Sequence, residues 1–508
     1  GPTKTEPPAI GTIRSTGPEA AEDGWTRFRG PNGSGVLKSA TPPVKLSSDN
    51  LAWKSAVPQG LSSPVLKDHL VVLTGLVEDR LTLIALSRET GAELWRASAP
   101  DSPLEKVHSA SSPASSTPLM FDDRIIVYFG SFGLLCYDFE GNELWRRAIP
   151  LPKSLYGMST SPIGWQNQVF LVLDSDRNLP ESELSESKLI ALDPLNGDIL
   201  WETPRPFYRS GWSTPVIWSN QETDELVILG NGKLHAYDPA SGKGKWFVKG
   251  FSRETIAVPV IGKTHIYGSS SQLGGGGDVD KDPLPFWEAL KPFDKNEDGR
   301  IDRSEMTGDF TFPFRPELPP GHPGFGMPLP TDPKKRQEKI DWIVTWVDKN
   351  KDGVWTKEEF ITNLKNGRGK PLLAAIKPGG IGDITETHVS WSLNRGIPEI
   401  PSPIYDNSIL YLIRKGGLLT SIDCKTGGTI YQVRVQEAPG QYAASPVIAG
   451  EMLYVVSSLG KVSVIRLGEQ YELLHQFDLA ETSESTPAID HDTIYFRTGT
   501  HLWAFRRK

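Results

Sequence analysis

The sequence predicts an all-β protein: a β-propeller of eight four-stranded blades, interrupted once by a small α-helical unit. Three observations predict it. A hairpin phrase ending in an aromatic residue recurs along the chain. A phrase made of a small residue, a proline and an alternating strand recurs eight times at blade spacing. One spacing is about 100 residues too long, and the excess holds two matching acidic loops.

Taken in order, the chain opens "GPTKTEPPAIGTIRSTGPEAAEDG", which is polar, proline-rich and nearly free of large apolar residues. Residues 1–24 are therefore expected to be a flexible tether. The leading Gly-Pro reads as the scar of a cleaved tag. Next comes "LAWKSAVP", an alternating segment over 51–58 with Trp53 at the aromatic position of the hairpin phrase.

The proline phrases follow at Pro64, Pro118, Pro162, Pro215, Pro259, Pro403, Pro446 and Pro487, separated by 54, 44, 53, 44, 144, 43 and 41 residues. Spacings of 40–50 residues are those of a four-stranded blade. Between the prolines sit the hairpins "LIALSRETGAELW", "LLCYDFEGNELW", "LIALDPLNGDILW", "LHAYDPASGKGKW" and "LLTSIDCKTGGTIY". Each is an apolar strand, a tight Asp/Gly turn and a second strand carrying an aromatic. The last unit stops one strand short, and residues 51–58 are expected to complete it. A blade shared by both ends of the chain closes the ring and removes its exposed edges. The propeller is thus predicted over 25–273 and 371–508, with the inserted unit at 274–370 in blade 5.

Inside the insert run "DKNEDGRIDRSE" and "DKNKDGVWTKEE". The first places Asp294, Asn296, Asp298, Arg300 (through its carbonyl), Asp302 and Glu305 at positions 1, 3, 5, 7, 9 and 12. The second places Asp348, Asn350, Asp352, Val354 (through its carbonyl), Thr356 and Glu359 there. Gly299 and Gly353 stand at position 6. Hard oxygens at this spacing, with glycine at the sharp turn, suit calcium. Helical apolar spacing precedes each loop, at Phe286, Trp287, Leu290 and Phe293, then at Ile340, Ile343, Val344 and Val347. The pair resembles an EF-hand domain, which implies two bound calcium ions.

The Ala-x-Asp-x-x-x-Gly-x-x-x-Trp hairpins resemble the pyrroloquinoline-quinone-like propeller family, over about residues 51–273 and 371–508. That family includes quinone-dependent alcohol dehydrogenases and non-catalytic propellers such as the outer-membrane assembly-factor lipoprotein. "WTRFRGPNGSGV", Trp25 to Val36, resembles the opening of secreted bacterial propellers of this kind. The resemblance implies that Trp95, Trp145, Trp201, Trp246 and Trp391 pack between blades. A quinone is not expected: the family's dehydrogenases often carry adjacent cysteines, and here the two cysteines are Cys136 and Cys424.

Loops entering the inner strands share a face with loops between second and third strands, where the insert departs. That face is expected to hold a ligand site built from His108, Tyr156, Tyr208, Arg209, Trp212, Arg253, Glu254, Glu399, Tyr442 and Glu484. The insert is expected to stabilise or gate it. Net charge is −8 with no basic run, which argues against nucleic acid. No stretch of about 18 apolar residues crosses a membrane. The expected protein is a monomeric, periplasmic or extracellular propeller, its signal peptide removed, that binds a polysaccharide or protein partner. The alternatives are a carbohydrate-active enzyme, either lyase or hydrolase, and a quinone-dependent dehydrogenase.

Overall fold

The computed structural model describes residues 24–107, 109–151, 157–174, 186–205, 211–252, 255–271, 284–313, 316, 318–348, 350–366 and 370–508. The chain divides into two compact units, 1–275 with 371–508, and 276–370.

The larger unit is the eight-bladed ring. Blade 1 runs Val65–Lys67, Leu70–Val77, Arg80–Ser87 and Glu93–Ser98, four antiparallel strands in sequence order. Blades 2, 3, 4, 6 and 7 repeat this order. Blade 8 is closed from the far end of the chain: Leu51–Ala56 pairs antiparallel with His501–Arg506, with Trp53 opposite Ala504. In blade 5 the second strand, Ile266–Ser270, pairs directly with Leu372–Ile376, so the chain leaves and re-enters one continuous sheet.

The hydroxyls ahead of the prolines have a physical role. The Ser63 amide donates to Thr117 Oγ1 (3.0 Å), the Thr117 amide to Ser161 Oγ (2.9 Å), and the Ser161 amide to Thr214 Oγ1 (3.1 Å). On the far side, the Ser402 amide donates to Ser445 Oγ (2.9 Å) and the Ser445 amide to Thr486 Oγ1 (3.1 Å). Each of these blades thus offers its neighbour an acceptor for the buried amide ahead of the proline, whereas blade 5 has Val258 in place of the hydroxyl.

Five outer-strand tryptophans dock on the next blade. Trp53 lies over Gly91, Trp95 over Gly141, Trp145 over Gly197, Trp201 over Gly242 and Trp391 over Gly427. Their indole N–H groups donate to Arg88, Phe139, Pro194, Pro239 and Cys424 carbonyls at 2.8–3.2 Å. Gly91 shows why glycine is needed: its φ is 75°, and a Cβ there would lie 2.5 Å from the Trp53 ring. Trp246 departs from the pattern, donating to Glu225 Oε2 at 2.7 Å. Cys136 and Cys424 are both free and buried.

One segment lies outside the expected scheme. The sequence places Trp25–Leu37 in the propeller body, yet it enters no blade as one of its four regular strands. It runs along the inward edges of several inner strands. Its last two residues, Val36–Leu37, pair parallel with Val447–Ala449 of blade 7.

The smaller unit has its own core, including Trp287, Phe293, Ile301, Phe310, Ile343 and Trp355. Its helices are Leu284–Leu290, Pro333–Val347 and Lys357–Asn366. Asp332 caps the second by accepting from the Lys335 amide at 2.9 Å. Two short strands, Arg300–Asp302 and Val354–Thr356, pair antiparallel with Ile301 opposite Trp355.

Candidate functional site

The two acidic loops of the smaller unit have matching internal geometry. In the first, Asp294 Oδ1 accepts from the Asp298 amide (3.2 Å) and Oδ2 from the Gly299 amide (2.9 Å). In the second, Asp348 Oδ1 accepts from the Asp352 amide (3.2 Å) and Oδ2 from the Gly353 amide (2.8 Å). Asn296 and Asn350 each reach the carboxylate two residues on, at 3.2 and 2.9 Å. Glu297 and Lys351 turn the chain with φ of 55° and 60°, and the following glycines are also left-handed. The strand pair joins the two loops at Arg300 and Thr356, Ile301 and Trp355, and Asp302 and Val354.

Position 12 folds inward in loop one and carries an orphaned atom in loop two. Glu305 is buried and accepts from the amides of Lys295 (3.0 Å) and Asp302 (2.9 Å). Glu359 accepts from the Thr356 hydroxyl at 3.1 Å through Oε1. Its Oε2 is buried without a hydrogen-bond partner among the described residues. A buried carboxylate oxygen left without a donor is costly. Among the described residues, no three His, Cys, Asp or Glu side chains gather into a ready-made metal cluster. The loops instead mix carboxylates with Asn, Thr and backbone carbonyls.

On the propeller, six of the ten expected ligand residues fall outside the described residues: His108, Tyr156, Tyr208, Arg209, Arg253 and Glu254. Of the rest, Trp212 and Tyr442 are buried, at 7% and 4% exposure, rather than displayed as platforms. The Trp212 indole donates to the Gly157 carbonyl (2.9 Å), and the Tyr442 hydroxyl to the Ala438 carbonyl (2.8 Å). Large aromatics in loops gain more from burial than from exposure. Glu399 is half-buried and Glu484 exposed.

The structure adds polar groups that the sequence did not single out. Glu105, in the loop leading into blade 2, is 6% exposed. Neither of its carboxylate oxygens has a hydrogen-bond partner among the described residues. It is wedged at Gly130, where an added Cβ would come 2.6 Å from Oε1. Burial pushes its pKa up to about 7, and the nearby Met158 amide offsets that only in part. Tyr128 lies close enough for the Glu105 charge to reinforce the burial that raises its own pKa.

A second buried network joins blades 3 and 4. Asp174 accepts from Arg205 Nε (2.7 Å) and Nη2 (2.8 Å), a two-pronged pair. Arg205 Nη1 donates to the Tyr237 hydroxyl at 2.6 Å, and that hydroxyl sits 3.1 Å from His235 Nδ1. Burial, then the charges of Arg205 and Lys233, hold His235 down at about 3, so it is neutral at physiological pH. Asp174 opens "DSDRN", whose oxygens repeat the first spacings of a calcium loop without its Gly or position-12 Glu; residues 175–178 lie outside the described residues, and Asp174 itself pairs with Arg205.

Among curated proteins, none matches the chain. Among solved structures, BamB from Moraxella catarrhalis is 9% identical over 90% of this chain and 99% of that one, with a TM-score of 0.49. The computationally designed Ika8 protein is 10% identical over 89% and 98%, with a TM-score of 0.50, a likeness of fold. Quinohemoprotein alcohol dehydrogenase from Comamonas testosteroni is 11% identical over 95% and 80%, with a TM-score of 0.47. The family described as outer membrane protein assembly factor BamB matches residues 43–178 and 382–508, just over half of the chain. The repeated hairpins, the ring they build and that match agree: this chain belongs to the BamB family of propellers.

Proposed function

We infer that this chain is a protein-binding propeller whose inserted unit holds two calcium ions in paired EF-hand loops. The partner-binding half of the reading is supported by the family, whose description is that of an outer-membrane assembly factor. The same description favours a periplasmic or extracellular site of action. Among the described residues, no helix is long and apolar enough to cross a membrane.

The calcium half is carried by the buried, unpartnered Oε2 of Glu359 at position 12. A divalent cation is the partner that chemistry of this kind accepts. Asp294, Asn296, Asp298, the Arg300 carbonyl, Asp302 and Glu305 would hold one ion. Asp348, Asn350, Asp352, the Val354 carbonyl, Thr356 and Glu359 would hold the other. Bound calcium supplies the positive charge that lets several carboxylates share one short loop. The residues supply the rest: Gly299 and Gly353 make the sharp turn, and the pairing of Ile301 with Trp355 ties the two loops together.

Calorimetric titration of calcium into chelator-treated protein tests this reading. Two sites are expected, with Glu305→Gln and Glu359→Gln each removing one. Equal binding by the parent and both variants overturns it. A quinone absorption band, or release of reducing ends from glycans, would replace the binding role with an enzymatic one.

A further inference from the structure

In a ring of radial sheets, the innermost strand of every blade turns a free edge toward the axis. Those edge amides and carbonyls need water or a partner. Here residues 25–37 provide partners. The Leu66 amide of blade 1 donates to the Trp25 carbonyl (2.7 Å), and the Met120 amide of blade 2 to the Thr26 carbonyl (2.8 Å). In blade 4, Arg27 Nη2 donates to the Pro215 carbonyl (2.7 Å). Asn32 takes and gives a bond with the Ile217 backbone, at 3.0 and 2.7 Å. Arg29 Nη2 donates to the Pro403 carbonyl of blade 6 (3.1 Å). The Ile448 amide of blade 7 donates to the Gly35 carbonyl (2.9 Å).

The segment is shaped for this position. Left-handed φ recurs at Arg29, Gly30, Asn32, Gly33 and Gly35, between 46° and 75°. The resulting coil bonds to itself: the Gly30 amide to the Arg27 carbonyl, the Gly33 amide to Gly30, and the Gly35 amide to Arg29, at 2.7–3.1 Å. Trp25, Arg27 and Arg29 are buried, at 2%, 6% and 0% exposure. Two arginines in this position bond to carbonyls of two different blades, 4 and 6, which suits a planar fork better than a point charge.

The geometry points to Trp25–Leu37 as an axial plug: a self-coiled peptide, docked on the inward edges of blades 1, 2, 4, 6 and 7, that pins the ring from its centre. The ring is therefore locked twice, at its rim by residues 51–56 and at its axis by the plug. The inward edges form a peptide-binding surface whose occupant is this chain's own N-terminal segment. The channel is then not an open passage, and a ligand of the ring binds at a mouth rather than along the axis.

A chain beginning at residue 38, titrated with a synthetic peptide of residues 25–37, tests the plug. The truncated chain is expected to unfold at a lower temperature. The peptide is expected to bind one to one and restore that temperature, with Arg29→Ala plus Asn32→Ala in the peptide weakening binding at least tenfold. An unchanged unfolding temperature with no peptide binding overturns the proposal. If the truncated chain does not fold, hydrogen exchange on full-length Asn32→Ala and Gly30→Val decides. Residue 30 is informative because a Cβ there would lie 2.5 Å from the Trp25 ring. Strand segments holding Leu66, Met120, Ile217 and Ile448 lie on four different blades and are expected to exchange at least tenfold faster together. Exchange confined to residues 25–37 overturns it.

Discussion

The Val258 amide donates to Ser402 Oγ at 2.9 Å, across 144 residues of sequence. The same contact links five other pairs of neighbouring blades ahead of their prolines. It holds blade 5 to blade 6 although the inserted unit separates them in the chain. Removing the hydroxyl leaves a buried amide without an acceptor. Ser402→Ala is expected to cost about 1–2 kcal/mol. Urea unfolding of the full chain checks this, and an unchanged midpoint would mean the insertion is tolerated without that link.

Gly91→Ala tests closure at the rim. The substitution places a Cβ against the Trp53 ring at a left-handed φ of 75°. A loss of about 2 kcal/mol or more is expected, from strain and lost packing together. Trp53→Ala should be of similar size, and the double variant should lose less than the sum. Thermal unfolding of the three variants gives the coupling directly.

The Asp174–Arg205 pair is fully buried, so its two halves are not independent. Arg205→Met alone strands a carboxylate and is expected to cost about 3–5 kcal/mol. Asp174→Asn with Arg205→Met should recover a large part of that loss. A double variant as unstable as the worse single one would show that packing, not charge, holds the site.

Glu105 carries a pH signature. Unfolded, its carboxyl ionises near the ordinary 4.5; folded, it keeps its proton to about 7. Between those values the native state binds more protons, so this group withdraws stability as pH rises through them. The loss amounts to about 3 kcal/mol at most. Glu105→Gln should be more stable than the parent at pH 8 and similar to it at pH 4.5. Unfolding at both pH values measures the difference, and parallel profiles would place the carboxyl in water.

The two acidic loops differ in charge. Loop one has the carboxylates Asp294, Asp298, Asp302 and Glu305; loop two has Asp348, Asp352 and Glu359. More ligand charge favours tighter calcium binding. The site that survives in Glu359→Gln, loop one, is expected to bind calcium more tightly than the site that survives in Glu305→Gln. Calorimetry on the two variants compares them.

The ring was legible because a propeller asks the same thing of the chain in every blade. The hydroxyl before seven of the eight prolines and the tryptophan of most outer strands answer a repeated contact, so they recur at blade spacing. Trp53 could be matched to the missing strand for the same reason. The inward role of Arg27, Arg29 and Asn32 left no such trace. Their partners are backbone groups of distant blades, and a backbone carbonyl at Pro403 looks like any other. Glu105 left no trace either, because nothing in a loop sequence tells a buried carboxyl from a solvated one. Trp212 and Tyr442 are the reverse case: a loop aromatic reads as open surface, but here both are buried and their polar atoms are held by carbonyls of the scaffold.

The placement of Trp25–Leu37 also sets how the ring meets mechanical force. Tension arriving through the chain ahead of Trp25 does not peel an outer strand from one blade. It arrives at the hub and is shared among the blades that bond to the segment, at Leu66, Met120, Ile217, Pro403 and Ile448. A propeller held by its N-terminus is thus suspended from its axle, and the rim strand at Leu51–Ala56 is shielded from the pull.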